Sequence, residues 1–311
     1  MQNLKLQKVV IFVPAFNEEE SIASVIDKVR ELYSKEVTRT KGYVAEILIV
    51  NDGSTDKTEE IAKSRGVKIV SHLRNLGLGA AVRTALQTAY TMGADIAVKI
   101  DADLQYDPAD IEKVISPVLG DKADICWGSR FAGDITFKMP FIRYAGNKFF
   151  TWLLNILTDY QISDAQSGLK AFGRKYLAIF EIHGNFNSNQ QLLLDANIKH
   201  MRYAEVPVTF KMRVSGQSFV NLAYPFKVIP NIIRILVYAN PLKIFGAIGG
   251  MMISLSLLTM FLWWLGNLIE YNILAVIPIL GFKNLAFLLL LGGLQTLFFG
   301  ILADLIIKKR K

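Results

Sequence analysis

Cysteine is almost absent: the chain has one, Cys126, in 311 residues. A lone thiol forms neither an intrachain disulfide nor a cysteine-rich zinc site, so stapled secreted scaffolds and zinc fingers are excluded. Cys126 reads as a small apolar side chain at the end of a buried strand. Histidine is scarce as well, and His72, His183 and His200 stand without a partner at metal or triad spacing, so they read as structural or exposed. Charged residues make up only 20% against 52% hydrophobic, which excludes a disordered or fibrous chain. No apolar signal region precedes the first strand pattern, so secretion is not expected. The net charge of +8 comes with no helix-turn-helix, zinc or RNA-binding signature, which leaves nucleic acid unsupported as a partner.

The apolar excess lies at the C-terminus. Residues 244–269 are a run of 26 without charge, and residues 284–303 a further 20. At about 1.5 Å per helical residue each run crosses a bilayer core of about 30 Å. Two membrane helices are therefore expected, with the Pro278- and Gly281-containing stretch 271–282 as a turn or interfacial segment. Lys308, Lys309, Arg310 and Lys311 follow the second run, while the loop between the runs carries only Glu270 and Lys283. The positive-inside rule then places both termini and the bulk of the chain in the cytoplasm, at the cell membrane. Gly246, Gly249, Gly250, Gly292 and Gly293 allow close helix packing, and with it a homo-oligomer.

Charge divides the remainder: residues 1–129 carry a net −3, residues 130–242 a net +7 and residues 243–311 a net +4. A basic second half next to a membrane suits anionic headgroups or an anionic lipid substrate. Within it, 141–157 and 220–237 are apolar stretches interrupted by Arg143, Lys148, Lys227 and Arg234, and read as amphipathic interfacial helices. The expected domains are 1–219, with an interfacial helix at about 141–157, then an interfacial segment 220–242 and a two-helix membrane domain 243–311.

Short β-branched runs at 9–13, 47–50, 67–70, 96–100 and 125–128 alternate with helical patterns at 18–33, 55–65, 80–92 and 108–119. Continuous apolar strands with crossover helices predict an α/β domain whose sheet is mostly parallel and covered on both faces. Ligands of such sheets bind at the carboxyl ends of the strands. Polar residues stand there: Asn17, Glu18 and Glu19 after the first run, Asn51 to Asp56 after the second, Asp101, Asp103 and Gln105 after the fourth. Turn and cap chemistry explains 51–56, and close packing at a helix start explains Asn75-Leu76-Gly77-Leu78-Gly79. Asp101 and Asp103 are different, because carboxylates at i and i+2 repel unless a cation lies between them. With the amide oxygen of Gln105 they suit Mg²⁺ or Mn²⁺.

The segments Val13-Pro14-Ala15-Phe16-Asn17-Glu18-Glu19, Val50-Asn51-Asp52-Gly53-Ser54-Thr55-Asp56, Asn75 to Gly79 and Asp101-Ala102-Asp103-Leu104-Gln105-Tyr106-Asp107-Pro108 together resemble the family 2 glycosyltransferases of the GT-A fold. Gly128-Ser129-Arg130, Ser163-Asp164-Ala165-Gln166-Ser167-Gly168 and Glu205-Val206-Pro207-Val208-Thr209-Phe210 look like the polyprenyl-phosphate glycosyltransferases typified by dolichyl-phosphate mannose synthase. The resemblance spans about residues 8–220. It implies a doubly wound GT-A domain and a nucleotide-sugar whose base and ribose meet Pro14, Phe16, Glu18, Val50 and Asp52. Asp101, Ala102, Asp103 and Gln105 would face its metal-bound diphosphate, with Arg213 also on the donor. Arg130, Arg143, Asn147 and Ser167 would hold the acceptor phosphate, and Asp101, Asp103 and Arg130 would be catalytic. Two departures stand out: Arg213-Val214-Ser215-Gly216-Gln217-Ser218-Phe219 lacks the family's final Lys, and Gln191 replaces a frequent Glu.

The implied reaction moves glucose or mannose from a UDP- or GDP-sugar to undecaprenyl or dolichyl phosphate with inversion, making a lipid-linked donor for glycosylation at the other membrane face. A phosphate monoester is already anionic at neutral pH and needs no general base. Catalysis then requires in-line placement and neutralisation of the leaving diphosphate. Arginines make bidentate phosphate contacts, which favours Arg130 and Arg143 as acceptor ligands. A processive polysaccharide synthase is disfavoured, since Gln190-Gln191 runs into three leucines without the Arg-Trp of the processive pattern. A catalytically silent glycan- or lipid-binding protein is the other alternative, and it sits badly with intact Asp101, Asp103 and Gln105.

Overall fold

The computed structural model describes residues 6–182, 185, 188–212, 241–268 and 282–310. The chain divides into two compact units, Met1–Asn231 and Ile232–Lys311. The expected interfacial segment 220–242 lies almost wholly outside the described residues, as does Arg213.

The first unit is built on a seven-stranded sheet of order β3-β2-β1-β4-β6-β5-β7. Its strands are β1 (Gln7–Ala15), β2 (Tyr43–Asn51), β3 (Lys68–Ser71), β4 (Ile96–Lys99), β5 (Ile125–Ser129), β6 (Lys170–Gly173) and β7 (Tyr203–Pro207). The five expected strands are present and mostly parallel, as their unbroken apolar runs require: Val9 to Ala15 are buried without interruption. β6 and β7 were not expected. β6 runs antiparallel between β4 and β5, pairing Lys99 with Lys170 and Trp127 with Lys170. Four residues carrying a lysine give no strand signature by themselves; two neighbouring strands impose the conformation.

Helices α1 (Ile22–Leu32), α2 (Lys35–Thr40), α3 (Thr58–Ser64), α4 (Leu78–Thr91) and α5 (Ile111–Leu119) cover the sheet. α1 buries Ile22, Val25, Ile26 and Val29, the i, i+3, i+4, i+7 stripe that an amphipathic helix presents to a core. Asp107 caps the short turn before α5, its Oδ1 accepting from Ala109 N at 3.0 Å. Cys126 is buried in β5; burial first, then the Glu205 charge, push its thiol up to about 12. After β5 come α6 (Phe141–Leu157), α7 (Arg174–Leu177) and α8 (Ser188–Ile198). α6 matches the helix expected at 141–157 and leaves Phe141, Tyr144, Phe149, Trp152 and Ile156 exposed along it.

The second unit holds α9 (Pro241–Leu268) and α10 (Phe282–Arg310). Within them Pro241–Leu265 and Asn284–Ile306 are long and apolar enough to cross a membrane, and only 17% of each apolar stretch is buried. A soluble core helix of that composition would be covered. Gly249 and Gly293 pack the pair closely: a Cβ on Gly249 would fall 2.7 Å from the Gly293 carbonyl oxygen.

Candidate active site

Strands β1, β2, β4 and β5 deliver Phe16, Asp52, Asp101 and Arg130 from their C-terminal ends, and the loop before antiparallel β6 brings Gln166, Ser167 and Gly168 to that edge. The first two loops are stitched together. Asn17 N donates to Ser54 Oγ at 3.0 Å and Thr55 N donates to Asn17 Oδ1 at 2.8 Å. Glu18 N donates to Thr58 Oγ1 at 2.8 Å, and its carboxylate accepts from Ser21 Oγ at 2.9 Å beside the start of α1. Pro14 and Val50 pair across the strands and are buried, leaving Phe16 half-buried at the rim. Asn17 holds a left-handed φ of +54°, a conformation Asn tolerates better than most residues.

Asp52 is buried and engaged on both oxygens. Oδ1 lies 2.6 Å from His72 Nδ1 and accepts from Leu76 N at 3.0 Å, while Oδ2 accepts from Gly77 N at 2.8 Å. His72 Nε2 stands 2.9 Å from Thr84 Oγ1. The reading of His72 as partnerless is therefore corrected. Asn51 pairs with Ser71 in the parallel β2–β3 ladder, so the next residue on each strand meets the other, a closeness that a 20-residue separation in sequence hides.

Around Asp101 the structure gathers cations. Lys99 Nζ donates to Asp101 Oδ1 and, at 3.2 Å, to the Gly168 carbonyl. Gly168 is the residue that fits there, since a Cβ would fall 1.8 Å from Asp101 Oδ2. Burial opposes the charged carboxylate, but Lys99, with Lys170 and Arg130, holds Asp101 below the ordinary carboxylate range. Lys170, fully buried, donates to Asn189 Oδ1 and lies 5.1 Å from the Trp127 ring. Burial, with the Lys99 charge added, holds its ammonium well below the usual value. Asp103 Oδ1 accepts from Gln105 N at 3.1 Å across Leu104, which holds a φ of +59°. Such a conformation is costly for leucine and is characteristic of functional loops.

Arg130 is 3% exposed and its fork grips Asp164, with Nε at 2.6 Å and Nη2 at 2.8 Å from the two oxygens. Its guanidinium also lies 5.0 Å from the Phe210 ring, and Arg143 covers that ring at 5.5 Å. Two arginines of the expected acceptor set thus meet on one aromatic. Ser167 and Asn147 are both buried: Ser167 Oγ donates to the Leu169 carbonyl at 3.3 Å, and Asn147 Nδ2 to Met139 Sδ at 3.7 Å. Ala102 is buried between the two aspartates.

The model of the family described as glycosyl transferase family 2 matches residues 10–180. The chain belongs to that family. A UDP-N-acetylglucosamine–dolichyl-phosphate N-acetylglucosaminyltransferase of Methanococcus voltae is 31% identical over 71% of this chain and 92% of its own length. A dolichol-phosphate mannosyltransferase of Pyrococcus furiosus is 28% identical over 87% of this chain and 76% of its own. Among solved structures, glucosyl-3-phosphoglycerate synthase of Mycobacterium tuberculosis in complex with Mn²⁺ and UDP-glucose superposes with a TM-score of 0.57 at 22% identity, covering 75% of this chain and 79% of that one. This last likeness shows the GT-A fold.

For this glycosyltransferase the donor set for a divalent metal has a specific shape. The repulsion expected between Asp101 and Asp103 is answered by Lys99, so a metal is not needed to hold the carboxylates together. The side-chain amide of Gln105 donates to the Lys211 carbonyl at 3.2 Å. Among the described residues no cluster of three or more His, Cys, Asp or Glu forms a ready site. Oxygen donors from Asp103 and Gln105 fit a hard divalent ion, with Asp101 tied back by Lys99. Sequence reasoning missed Lys99, Lys170, His72 and Asp164 as members of the site. Lys99 was visible in principle, because it stands two residues before Asp101 and strand side chains repeat every second residue.

Proposed function

We propose that the protein transfers a hexose, glucose or mannose, from a UDP- or GDP-sugar to a polyprenyl phosphate, with inversion, at the cytoplasmic face of the cell membrane. The observation that carries the reading is a family 2 site at the strand edge, rich in buried cations, on a chain whose other unit is a pair of exposed apolar helices. Relatives named for dolichyl- and dolichol-phosphate transfer support the same acceptor class.

The donor's base and ribose sit at Phe16, Val50 and the Asp52 loop, and its diphosphate at Asp101 to Gln105. Asp103 and Gln105 would hold Mg²⁺ or Mn²⁺, and the bound ion would supply positive charge to neutralise the departing nucleoside diphosphate. Lys99 holds the Asp101 carboxylate in place, and Asp164 fixes Arg130, so the guanidinium meets the acceptor phosphate without reorganising. The acceptor phosphate approaches Arg143 and Arg130 as an anion and attacks C1 of the sugar in line, without a protein base. α6, whose exposed face carries Phe141, Trp152 and Lys148, lies in the headgroup region, and the Lys308–Lys311 cluster keeps both termini cytoplasmic.

Membranes containing the protein, incubated with labelled UDP- and GDP-sugars and polyprenyl phosphate, should yield a solvent-extractable single-sugar lipid. A water-soluble polymer, or label that never enters the organic phase, would reject the reading.

A further inference from the structure

Residues 158–169, between α6 and β6, form neither helix nor strand, so their backbone groups must find partners outside the sheet ladder. They find them on side chains from two elements. From α6, Asn155 clasps Ile162 reciprocally: Ile162 N donates to Asn155 Oδ1 and Asn155 Nδ2 donates to the Ile162 carbonyl, both at 2.8 Å. Thr151, one helical turn earlier and buried, accepts from Ala165 N at 3.2 Å. From β7, the Glu205 carboxylate accepts from Ser163 N at 2.9 Å and from Asp164 N at 3.0 Å. Its further donor is the Tyr203 hydroxyl at 3.1 Å, so Glu205 spends its charge on holding this turn.

What the turn carries is Asp164. Fully buried, it accepts twice on each oxygen: Oδ2 from Arg130 N at 3.0 Å and Arg130 Nε at 2.6 Å, Oδ1 from Arg130 Nη2 at 2.8 Å and Gln166 N at 3.1 Å. Wherever the turn sits, the Arg130 guanidinium sits with it. The two elements that grip the turn also supply the groups around that guanidinium. Arg143 stands on α6, and Phe210 follows β7 by three residues, its ring 5.0 Å from Arg130 and 5.5 Å from Arg143. Two guanidinium groups beside one ring repel each other, so their separation has to be imposed by what holds them.

We propose that Glu205, Thr151 and Asn155 are positioning residues for the acceptor: acting through the 162–165 turn, they set Arg130 against Arg143 so that both arginines meet one phosphate. The assignment rests on the acceptor reading above. Its physical content is preorganisation, since donors already in place cost no reorganisation when charge arrives, and a misplacement of about 1 Å is expensive. A turn released from α6 or β7 lets Asp164 drift, and Arg130 drifts with it. The nucleotide side is held by other bonds, those joining Asn17 to Ser54 and Thr55 and those joining Asp52 to His72, Leu76 and Gly77. Loosening the turn therefore acts on one substrate and spares the other.

Steady-state kinetics of the full-length protein in detergent, with polyprenyl phosphate and nucleotide-sugar varied in turn, tests this. Glu205→Gln turns an amide donor toward backbone N–H groups, Thr151→Val removes a hydroxyl at nearly constant shape, and Asn155→Ala removes the clasp. Each should raise KM for polyprenyl phosphate by about 3- to 10-fold, the size expected for a lost hydrogen bond, and leave KM for the nucleotide-sugar within about twofold. Thr151→Ser, which keeps the hydroxyl, should behave as wild type. Loss of folded protein lowers the maximal rate and moves neither KM, so a merely structural role gives a different signature. Unchanged acceptor KM in all three variants, or equal rises in both KM values, would overturn the positioning role alone. Wild-type protein that transfers sugar without any dependence on polyprenyl phosphate would overturn the acceptor reading and the positioning role with it.

Discussion

Lys99 and Lys170 face one another across the antiparallel pairing of β4 with β6, each with no more than 1% of its surface exposed. Lys99 has Asp101 as a counter-charge; Lys170 has a neutral amide and the face of Trp127. The sheet therefore buries, near Asp101, an amine that has no carboxylate within ion-pair distance among the described residues.

Lys170→Met should stabilise the protein at neutral pH. An unfolded lysine holds its proton up to about pH 10.4, whereas burial makes folded Lys170 release it earlier. Between the two values the unfolded state binds more protons, so the contribution of Lys170 to stability rises with pH. Met removes that dependence. Thermal unfolding in detergent should show the variant ahead by about 1 to 3 kcal/mol near neutrality, with the gap closing as the pH nears that of free lysine. A variant less stable than wild type at neutral pH would contradict the reasoning.

Removing Lys99 alone has the opposite sign. Lys99→Met leaves Asp101 without its ammonium in a largely buried setting, and breaking such a pair costs about 3 kcal/mol. The double variant Lys99→Met with Asp101→Asn should recover most of that stability, because no bare charge remains. It should not recover transfer. Denaturant unfolding of the four proteins of this cycle gives the coupling directly; additive effects would show that the pair is not coupled.

The metal assignment separates the two aspartates. With Asp101 held by Lys99, the proposed metal site would rest mainly on Asp103, so Asp103→Asn should raise the metal concentration needed for half-maximal transfer far more than Asp101→Asn does. Excess chelator should abolish transfer by wild-type protein, and added Mg²⁺ or Mn²⁺ should restore it. Undiminished turnover in chelator would remove the metal from the scheme.

The five parallel strands and the two apolar helices were legible in sequence because each is announced by an unbroken apolar run. β6 was not, since Lys170-Ala171-Phe172-Gly173 is strand only by virtue of β4 and β5 on either side. The candidate site was legible where chemistry is local, at Asp101, Asp103 and Gln105. It was hidden where partners come from afar: Asp52 with His72, Arg130 with Asp164, and Phe210 beneath two arginines. Spacing along the chain says nothing of such pairs, which the sheet register creates.

Gly249 and Gly293 make a separate test in the second unit. Each would place a Cβ less than 3 Å from the other's carbonyl oxygen, at 2.7 and 2.9 Å. Gly249→Ile should therefore push α9 from α10, whereas Gly250→Ile, whose Cβ meets nothing within 4 Å, should not. Crosslinking between cysteines placed on the two helices would report the difference; equal crosslinking in both variants would refute the packing.

The acceptor side gives the sharpest kinetic division. Arg130 spends Nε and Nη2 on Asp164, so its guanidinium is held in place and partly used. Arg143 shares the Phe210 ring with it but stands half-buried on α6, the helix with the exposed aromatic face. On the proposed function, the lipid phosphate is held by Arg143 and the nucleotide lies near Phe16, so the two substrates depend on different residues. Arg143→Ala should raise KM for polyprenyl phosphate at least tenfold and leave KM for the nucleotide-sugar within about twofold, since losing a desolvated charge-assisted pair typically costs about 2 to 5 kcal/mol. Asp52→Ala should do the reverse, because the 76–77 amides and His72 lose their common anchor on the nucleotide side. Steady-state kinetics with each substrate varied decides the matter. An acceptor KM untouched by Arg143→Ala would move the phosphate site along α6 to Lys148, whose ammonium lies 4.4 Å from the Phe131 ring beside Arg130.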